Sequence, residues 1–391
     1  MVKDISFMSP LVEEMTEWRH RFHSNPEIGY EEVLTSNFVA EKLESWGIEV
    51  HRGLGKTGLV GVLRGRPGNA SIGLRADMDA LAMHEMNEFP HRSQIHGRFH
   101  GCGHDGHTTM LLGAAKQLSS TKNFAGTVYF IFQPAEEGLA GAKAMIDDGL
   151  FEKFSCDAVY GIHNDPSLEL GLVNIRAGTM LAASDHFKVT IRGKGCHGGQ
   201  PHLGIDPIPV AAHVVTVLQT LIGRQTDPLD TVVVSIGEIH GGSAPNVIPD
   251  TVELRGTIRT LTEAMRAKVE TLFKQGVENT VAAQGATAEI EYQRAYPATV
   301  NSATEAAFAS EVVTRLLGEK ALLRNEPSWT ASEDFAYMLQ RRPGAYAFFG
   351  QRTDDNVASG MPLHNPRYDF NDRLLPYGAS FFVELVEKAL Q

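Results

Sequence analysis

Ten consecutive residues, His100–Thr109, concentrate the side chains that bind metals and move protons. A thiol, three imidazoles and a carboxylate stand there among three glycines. If the chain is extended, Cys102 and His104 can turn toward one point, because side chains in a strand repeat with period 2. Thiolate and imidazole together favour zinc or a neighbouring transition metal. A Cys/His nucleophile pair and a glycine-rich surface loop are the alternatives.

Titratable side chains also stand at the ends of three predicted strands. They are Asp77 and Asp79, Glu136 and Glu137, and His163. The continuous apolar run Thr127–Phe132 before the two glutamates suits a sheet that is buried on both faces. Adjacent carboxylates point in different directions, so one can bind metal while the other holds or deprotonates a water; a solvated acidic turn is the alternative. Open α/β sheets bind ligands at such strand ends.

A lone histidine among the sixteen in this chain is usually a surface or core residue. His364 differs because its polar turn, Gly360–Asn365, falls on the same predicted sheet edge. The residues then supply five protein ligands: Cys102, His104, Glu137, His163 and His364. Five ligands are too many for one tetrahedral zinc and suit two metals with a shared bridge, a role that fits the Cys102 thiolate.

The elements that position these residues alternate between strand and helix up to about residue 178 and again from about residue 297. This alternation predicts an α/β domain with a largely parallel sheet, in which a helix over His107–Leu118 begins inside the metal-binding stretch. Between the two parts, the order strand–helix–strand–strand–helix–strand is typical of a ferredoxin-like α+β sandwich. We therefore predict a discontinuous domain, residues 1–178 and 297–391, with a smaller domain inserted at 179–296.

Composition excludes several classes of partner. A chain of 391 residues with net charge -12 and no Lys/Arg-rich run is not expected to bind nucleic acid. It has no run of about 18 apolar residues for a membrane helix, and its N-terminus lacks the apolar core of a signal peptide. Its three cysteines form no disulfide framework. We predict a cytoplasmic protein with reduced thiols and no membrane partner.

Several short motifs lie in order over nearly the whole chain. They are Leu74–Leu81, Gly101–His107, Phe132–Gly138, Gly161–His163, Gly195–His202, Asn246–Pro249 and His364. With these motifs the chain resembles the aminoacylase, hippurate hydrolase and carboxypeptidase family of amidohydrolases, which includes the plant auxin-conjugate hydrolases. The resemblance implies an aminopeptidase-like catalytic domain with two divalent metals and an inserted lid or dimerisation domain. It also implies a homodimer or homotetramer.

The resemblance carries roles over to residues of the catalytic domain. It implies that Cys102 bridges the two metals. It implies that their shells are completed by His104, Glu137, His163 and His364. Glu136 matches the residue that acts as general base and acid. Asp77 resembles a residue that orients a ligand or the catalytic carboxylate.

Further roles fall on the inserted domain. His197 resembles the residue that steadies the tetrahedral oxyanion, in the same or the neighbouring subunit. Asn246 resembles a substrate-contacting residue, and Arg259 is a candidate for binding a substrate carboxylate. His84 departs from the family pattern, since relatives often have Pro and Gln in this stretch, and it bears on the site or its specificity.

The resemblance predicts hydrolysis of N-acyl amino acids, with N-benzoyl or N-acetyl groups, by a metal-activated water and Glu136. Carboxypeptidase or dipeptidase action on short peptides, or hydrolysis of other amino-acid conjugates, is the alternative. The Cys102 thiolate favours zinc, while manganese, cobalt or nickel also suit the donor set. A hydrolase with Cys102 as nucleophile would be insensitive to chelators, and a non-enzymatic binding module would turn over no substrate.

Overall fold

The computed structural model describes residues 5–391, which form two compact units. The first unit contains the chain up to residue 180 together with residues 300–327 and 334–391. The second unit contains residues 181–299 and 328–333. The assignment of a catalytic domain and a lid or dimerisation domain to particular residue ranges stays a prediction.

Helices and strands alternate through most of the described chain. The α-helices are α1 Val12–Ser24, α2 Val33–Ser45, α3 His104–Thr121, α4 Gly141–Asp147, α5 Leu150–Lys153, α6 Pro207–Gln225, α7 Glu263–Ala282, α8 Ala303–Leu317, α9 Ala336–Leu339 and α10 Leu375–Ala389. The strands are β1 Glu49–Leu54, β2 Gly58–Arg64, β3 Arg66–Asp77, β4 Ala125–Gln133, β5 Ala158–Glu169, β6 Val173–Asn174, β7 Gly178–Leu181, β8 Ala183–Arg192, β9 Cys196–His197, β10 Val232–Gly241, β11 Val247–Ile248, β12 Thr251–Thr260, β13 Thr287–Arg294, β14 Thr299–Asn301, β15 Leu322–Leu323 and β16 Gly344–Arg352. Short 3-10 helices occupy Ile5–Leu11, Pro201–Leu203, Glu319–Ala321, Val357–Gly360 and Asp372–Leu374.

The sheet of the first unit has a parallel centre. Its strand order is β1-β2-β4-β3-β5-β16-β6-β15, and β4, β3, β5 and β16 run parallel to one another. β2 pairs antiparallel with β4, and β1 pairs antiparallel with β2. The carboxyl ends of the parallel strands therefore meet at one edge, where side chains from distant parts of the chain come together.

Apolar side chains on both faces hold this sheet in place. The second half of β4 is buried on both faces and includes Phe130 and Phe132, which are fully buried. On one side the core continues into Leu111 of α3 and Phe382 of α10. Burial of each such side chain contributes about 1.5–3 kcal/mol, so the parallel strands form a rigid base for the groups at their ends.

The second unit is an antiparallel sheet covered by two helices. Its chain order is β8-α6-β10-β12-α7-β13 and its sheet order is β10-β12-β8-β13. Val214 of α6 and Phe273 of α7 pack with Phe187 and Leu254 of the sheet in one core. This is the ferredoxin-like arrangement, and the predicted fold class is confirmed for both units.

The metal-binding stretch differs from the sequence expectation in one respect. The extended chain that would turn Cys102 and His104 toward one point is not formed, because Gly103 has a left-handed backbone with φ 90° and His104 is already the first residue of α3. Helix α3 thus begins three residues earlier than the predicted His107. Glycine adopts this conformation without a steric penalty, so the chain turns sharply between the thiol and the imidazole.

Among residues 5–391, none of the helices combines the length and the apolar composition that a membrane span requires.

Candidate metal centre and active site

Two sets of potential metal donors share the thiol of Cys102. In one set, the donor atoms of Cys102, His104 and His163 lie within 4.8 Å of one another. In the other, the same limit holds for Cys102, Glu137 and His364. The Cys102 Sγ atom lies 3.4 Å from His163 Nε2, and His364 Nε2 lies 3.2 Å from Glu137 Oε1. All five predicted ligands are therefore gathered in one place.

Different elements deliver these donors to the same sheet edge. His163 belongs to β5, and its Nδ1 donates to the carbonyl of Asn164 at 2.8 Å, which leaves Nε2 directed at Cys102. Glu137 lies in the loop that follows β4. His364 lies in a turn with a positive φ of 64°, and its main-chain N–H donates to the carbonyl of Gly101 at 2.8 Å.

The arrangement fits a divalent metal. His104 Nε2 is buried and has no hydrogen-bond partner among residues 5–391, and the buried Glu137 Oε1 lies 3.2 Å from His364 Nε2 without hydrogen-bond geometry. Buried polar atoms are rarely left unpaired, because each loses its hydration without compensation. A thiolate, imidazoles and a carboxylate are the donors that zinc and its neighbours accept. Two buried donor atoms without a hydrogen bond in such a set fit a metal site.

The environment of Cys102 disfavours a role as nucleophile. Its side chain is buried, and burial together with the charge of Glu137 raises the pKa of the thiol. A reactive cysteine needs the opposite shift, toward the thiolate. A bound metal ion deprotonates a coordinating thiol outright, so ligation is the role that this environment supports.

Asp79, to which the sequence patterns assign no individual role, contacts two of the predicted ligands. His104 Nδ1 lies 2.8 Å from the Asp79 carbonyl oxygen and 3.2 Å from its Oδ1, so the imidazole presents Nε2 to the cluster. The main-chain N–H of Glu137 donates to Asp79 Oδ2 at 2.9 Å. The sequence could have indicated this role, because Asp79 stands with Asp77 at the end of a predicted strand and side chains two apart share a face.

Asp77, predicted to orient a ligand or the base, lies in a fully buried network. Its Oδ1 is 2.6 Å from His107 Nδ1, and its Oδ2 accepts from Arg75 at 2.7 Å. Burial opposes its ionisation, but Arg75 and the histidines His104 and His107 outweigh this effect and hold the pKa of Asp77 well below its usual range. Asp77 thus supports His107, and its predicted role stays a prediction.

Glu136, the predicted base, is buried beside the cluster. Only 7% of its surface is exposed, and its carboxylate lies with donor atoms of His104 and Glu137 within 4.8 Å. The main-chain N–H of Asp334 donates to Glu136 Oε1 at 3.3 Å. A carboxylate held at the edge of the donor set is placed where a proton acceptor for a bound water is needed.

The other three predicted site residues belong to the second unit. His197 of β9 pairs with Val247 of β11, and the N–H of Gly198 donates to the carbonyl of Asn246 at 2.8 Å, so His197 and Asn246 are neighbours. The Gly199 N–H donates to His197 Nδ1 at 3.0 Å, which leaves the proton of the neutral ring on Nε2. These two roles stay predictions.

Arg259 lies on β12, opposite Ser184 of β8, and its guanidinium donates to the Ile258 carbonyl at 3.1 Å. Its predicted role toward a substrate carboxylate is a prediction too. The half-buried guanidinium also donates to the hydroxyl of Thr257, and it has further donors beyond these two acceptors.

Comparison with known proteins identifies the family of this chain. The model of peptidase family M20/M25/M40 matches residues 73–388. The hippurate hydrolase of Campylobacter jejuni is 42% identical over 378 residues, which cover 97% of both chains. Thermostable carboxypeptidase 2 of Saccharolobus solfataricus is 39% identical and covers 94% of both chains. The YXEP protein of Bacillus subtilis, a dinuclear metal-binding peptidase, has a TM-score of 0.85, is 32% identical, and the match covers 98% of this chain and 99% of that one.

The chain belongs to peptidase family M20/M25/M40. The family resemblance inferred from the sequence motifs is thereby confirmed.

The contacts of Asp79 lead to a prediction about metal affinity. In the variant Asp79→Ala, Glu137 loses the acceptor of its main-chain N–H and His104 loses its contact with Oδ1, while the contact of His104 with the carbonyl of residue 79 remains. We expect the affinity for zinc to fall about 10–100-fold. Competition with a chromophoric chelator measures it. Asp148→Ala is the matched control, because Asp148 also accepts a main-chain N–H, that of Gly55 at 2.7 Å. Equal zinc affinity in the two variants would contradict this role.

A buried ionic network lies next to the metal-binding stretch. His23 Nδ1 is 2.8 Å from Asp105 Oδ2, and His23 Nε2 is 3.2 Å from Glu85 Oε1. Arg19 donates to Asp369 at 2.8 Å. Burial lowers the pKa of His23, but Asp105 and Glu85 outweigh it and raise this pKa to about 9.

This shift predicts how stability depends on pH. Because the folded-state pKa of His23 lies above its ordinary value, its stabilisation is full below about pH 6.5 and is lost as the pH rises through about 9. Across this pH window, the free energy of unfolding of metal-free wild type should fall by on the order of 3 kcal/mol relative to that of His23→Gln. Urea unfolding at pH 6, 7.5 and 9.5 measures the gap, with the exposed His240→Gln as control. If the difference in unfolding free energy between wild type and His23→Gln does not change with pH, the raised pKa of His23 is refuted.

Proposed function

We propose that this protein is a metal-dependent amidohydrolase that cleaves N-acyl amino acids to a carboxylic acid and a free amino acid. One observation carries the proposal: two donor sets share the thiol of Cys102 beside the buried carboxylate of Glu136. Five donors with one shared atom suit two metal ions, and two-metal sites are used for hydrolysis of amides and phosphates.

The proposed ligands are Cys102, His104, Glu137, His163 and His364. Metal ions held there would supply a water of lowered pKa and would polarise the amide carbonyl. Glu136 accepts the proton of the attacking water on its carboxylate and then returns it to the nitrogen of the leaving amine. The bond that breaks is the C–N bond of the amide, and the hydroxyl of the water becomes part of the new carboxyl group.

The second unit supplies the remaining proposed roles. His197 donates its Nε2–H to the oxygen on which negative charge develops, from the same or the neighbouring subunit. Asn246 contacts the substrate, and Arg259 binds the carboxylate of its amino-acid part, for which a guanidinium is suited. In the first unit, Asp77 orients a metal ligand or the catalytic carboxylate.

N-benzoyl amino acids are the leading substrates. The hippurate hydrolase of Campylobacter jejuni, by its name, acts on an N-benzoyl amino acid, and this chain matches it over 97% of its length. The second candidate is carboxypeptidase action on short peptides, which the name of the Saccharolobus solfataricus relative favours. Both reactions break an amide C–N bond with Glu136 as the general base, so only the substrate distinguishes them.

The metal, the assembly and the compartment belong to the same proposal. The thiolate of Cys102 favours zinc over manganese, cobalt or nickel. Self-association through the second unit would give a homodimer or homotetramer. Cys102, Cys156 and Cys196 are free thiols, which supports a reducing, cytoplasmic environment.

Replacing the base tests the proposal most simply. In Glu136→Gln, the carboxamide cannot take a proton, so kcat for N-benzoylglycine should fall about 10²–10⁴-fold while metal content stays unchanged. His364→Ala should lose metal as well as activity. Activity is measured after reconstitution with each candidate metal, and metal content by elemental analysis.

Glu41→Gln, on the exposed face of α2, serves as the control and should behave as wild type. Full activity of thoroughly chelated protein would overturn the metal-dependent mechanism. Faster turnover of dipeptides than of N-benzoyl and N-acetyl amino acids would select the carboxypeptidase function.

A further inference from the structure

The residue before the base has an unusual backbone. Ala135 has a positive φ of 54° and is fully buried. A non-glycine residue in the left-handed region brings its Cβ too close to the backbone, so the conformation persists only where surrounding groups hold it. Because Glu136 follows immediately, the conformation of Ala135 decides in which direction the base leaves the end of β4.

Glu32 holds this conformation from a distant part of the chain. Its Oε1 accepts the main-chain N–H of Ala135 at 2.8 Å, and its Oε2 accepts the hydroxyl of Thr57 at 2.6 Å. The carbonyl of Ala135 accepts the N–H of Gly141 at 3.0 Å. A Cβ on Gly29 would lie 3.0 Å from the Ala135 Cα, so the turn before Glu32 also packs closely against this residue.

Burial of a carboxylate in this position is energetically unfavourable. Glu32 is completely buried, and its carboxylate accepts from neutral groups, among them the N–H of Ala135 and the hydroxyl of Thr57. Burial is the main reason that its pKa rises to about 7, and the negative charge of Asp79 adds to the rise. A group that served only local folding of the N-terminal segment would not need an unfavourable site beside the metal-binding edge.

We propose that Glu32 is a positioning residue for Glu136: by binding the Ala135 N–H it holds the left-handed turn that directs the base toward the metal-bound water. The proposal rests on the proposed function of Glu136. It differs from a purely structural role, because it predicts that the need for Glu32 disappears when residue 135 can adopt the turn unaided.

A second substitution, at position 135, tests this point. In Glu32→Ala the turn loses its acceptor, so kcat for N-benzoylglycine should fall about 10²-fold while KM and metal content stay near wild type. Glycine adopts a positive φ freely, so Ala135→Gly in the Glu32→Ala background should restore most of kcat. Glu32→Gln keeps an acceptor for the Ala135 N–H and should remain close to wild type.

Glu27→Ala is the matched control. Glu27 is a carboxylate of the same segment and also accepts main-chain N–H groups, those of Leu34 and Thr35 at 3.0 and 2.8 Å. This variant should lower the melting temperature and leave kcat unchanged. An equal loss of kcat in Glu27→Ala and Glu32→Ala, or no recovery in Glu32→Ala/Ala135→Gly, would overturn the proposal.

A crystal structure of zinc-loaded Glu32→Ala separates this inference from the proposed function. The Glu136 carboxylate should be displaced or occupy several conformers there, and should return to its place in the double variant. This result is independent of turnover, so it tests the positioning role even if wild type hydrolyses no N-acyl amino acid. An unmoved Glu136 in Glu32→Ala would refute the positioning role.

Discussion

One buried carboxylate, Asp79, orients two donors of the candidate metal centre at once. Its Oδ1 and carbonyl oxygen face His104 Nδ1, and its Oδ2 accepts the N–H of Glu137. His104 begins a helix and Glu137 follows a strand, so the backbone alone does not align them. Donors that are ordered before a metal arrives spare the entropy of ordering them on binding. One of these two donors belongs to each of the two sets that share Cys102, so Asp79 contacts a member of both.

Sharp turns bring the site residues back over the sheet edge. Gly103, before His104, and Ala135, before Glu136, both have positive φ angles, and His364 has one itself. Glycine bears such a turn without steric cost, whereas alanine and histidine need partners. The carboxylate of Glu32 and the carbonyl of Gly101 provide them. Among residues 5–391, two of the six non-glycine residues with positive φ are thus the ones that present the base and a donor.

The sequence predicts the architecture and the donor set because both follow from local patterns. Apolar runs mark the buried strands, and parallel strands bring residues such as Glu137 and His163 to one edge. Contacts such as that between Glu32 and Ala135 could not be predicted from the sequence, because they join distant segments. These two residues are 103 positions apart. The first residue of α3 could not be predicted for a different reason: glycine at position 103 permits both an extended and a left-handed backbone.

Anomalous diffraction from crystals of the zinc-loaded protein tests the central claim most directly. We expect two zinc peaks about 3.5–4 Å apart, the usual separation in two-metal sites. The Sγ atom of Cys102 should bridge them, with His104, His163, Glu137 and His364 completing the shells. A single peak, or two peaks that do not share Cys102 as a ligand, would contradict the claim that these five residues form a two-metal centre.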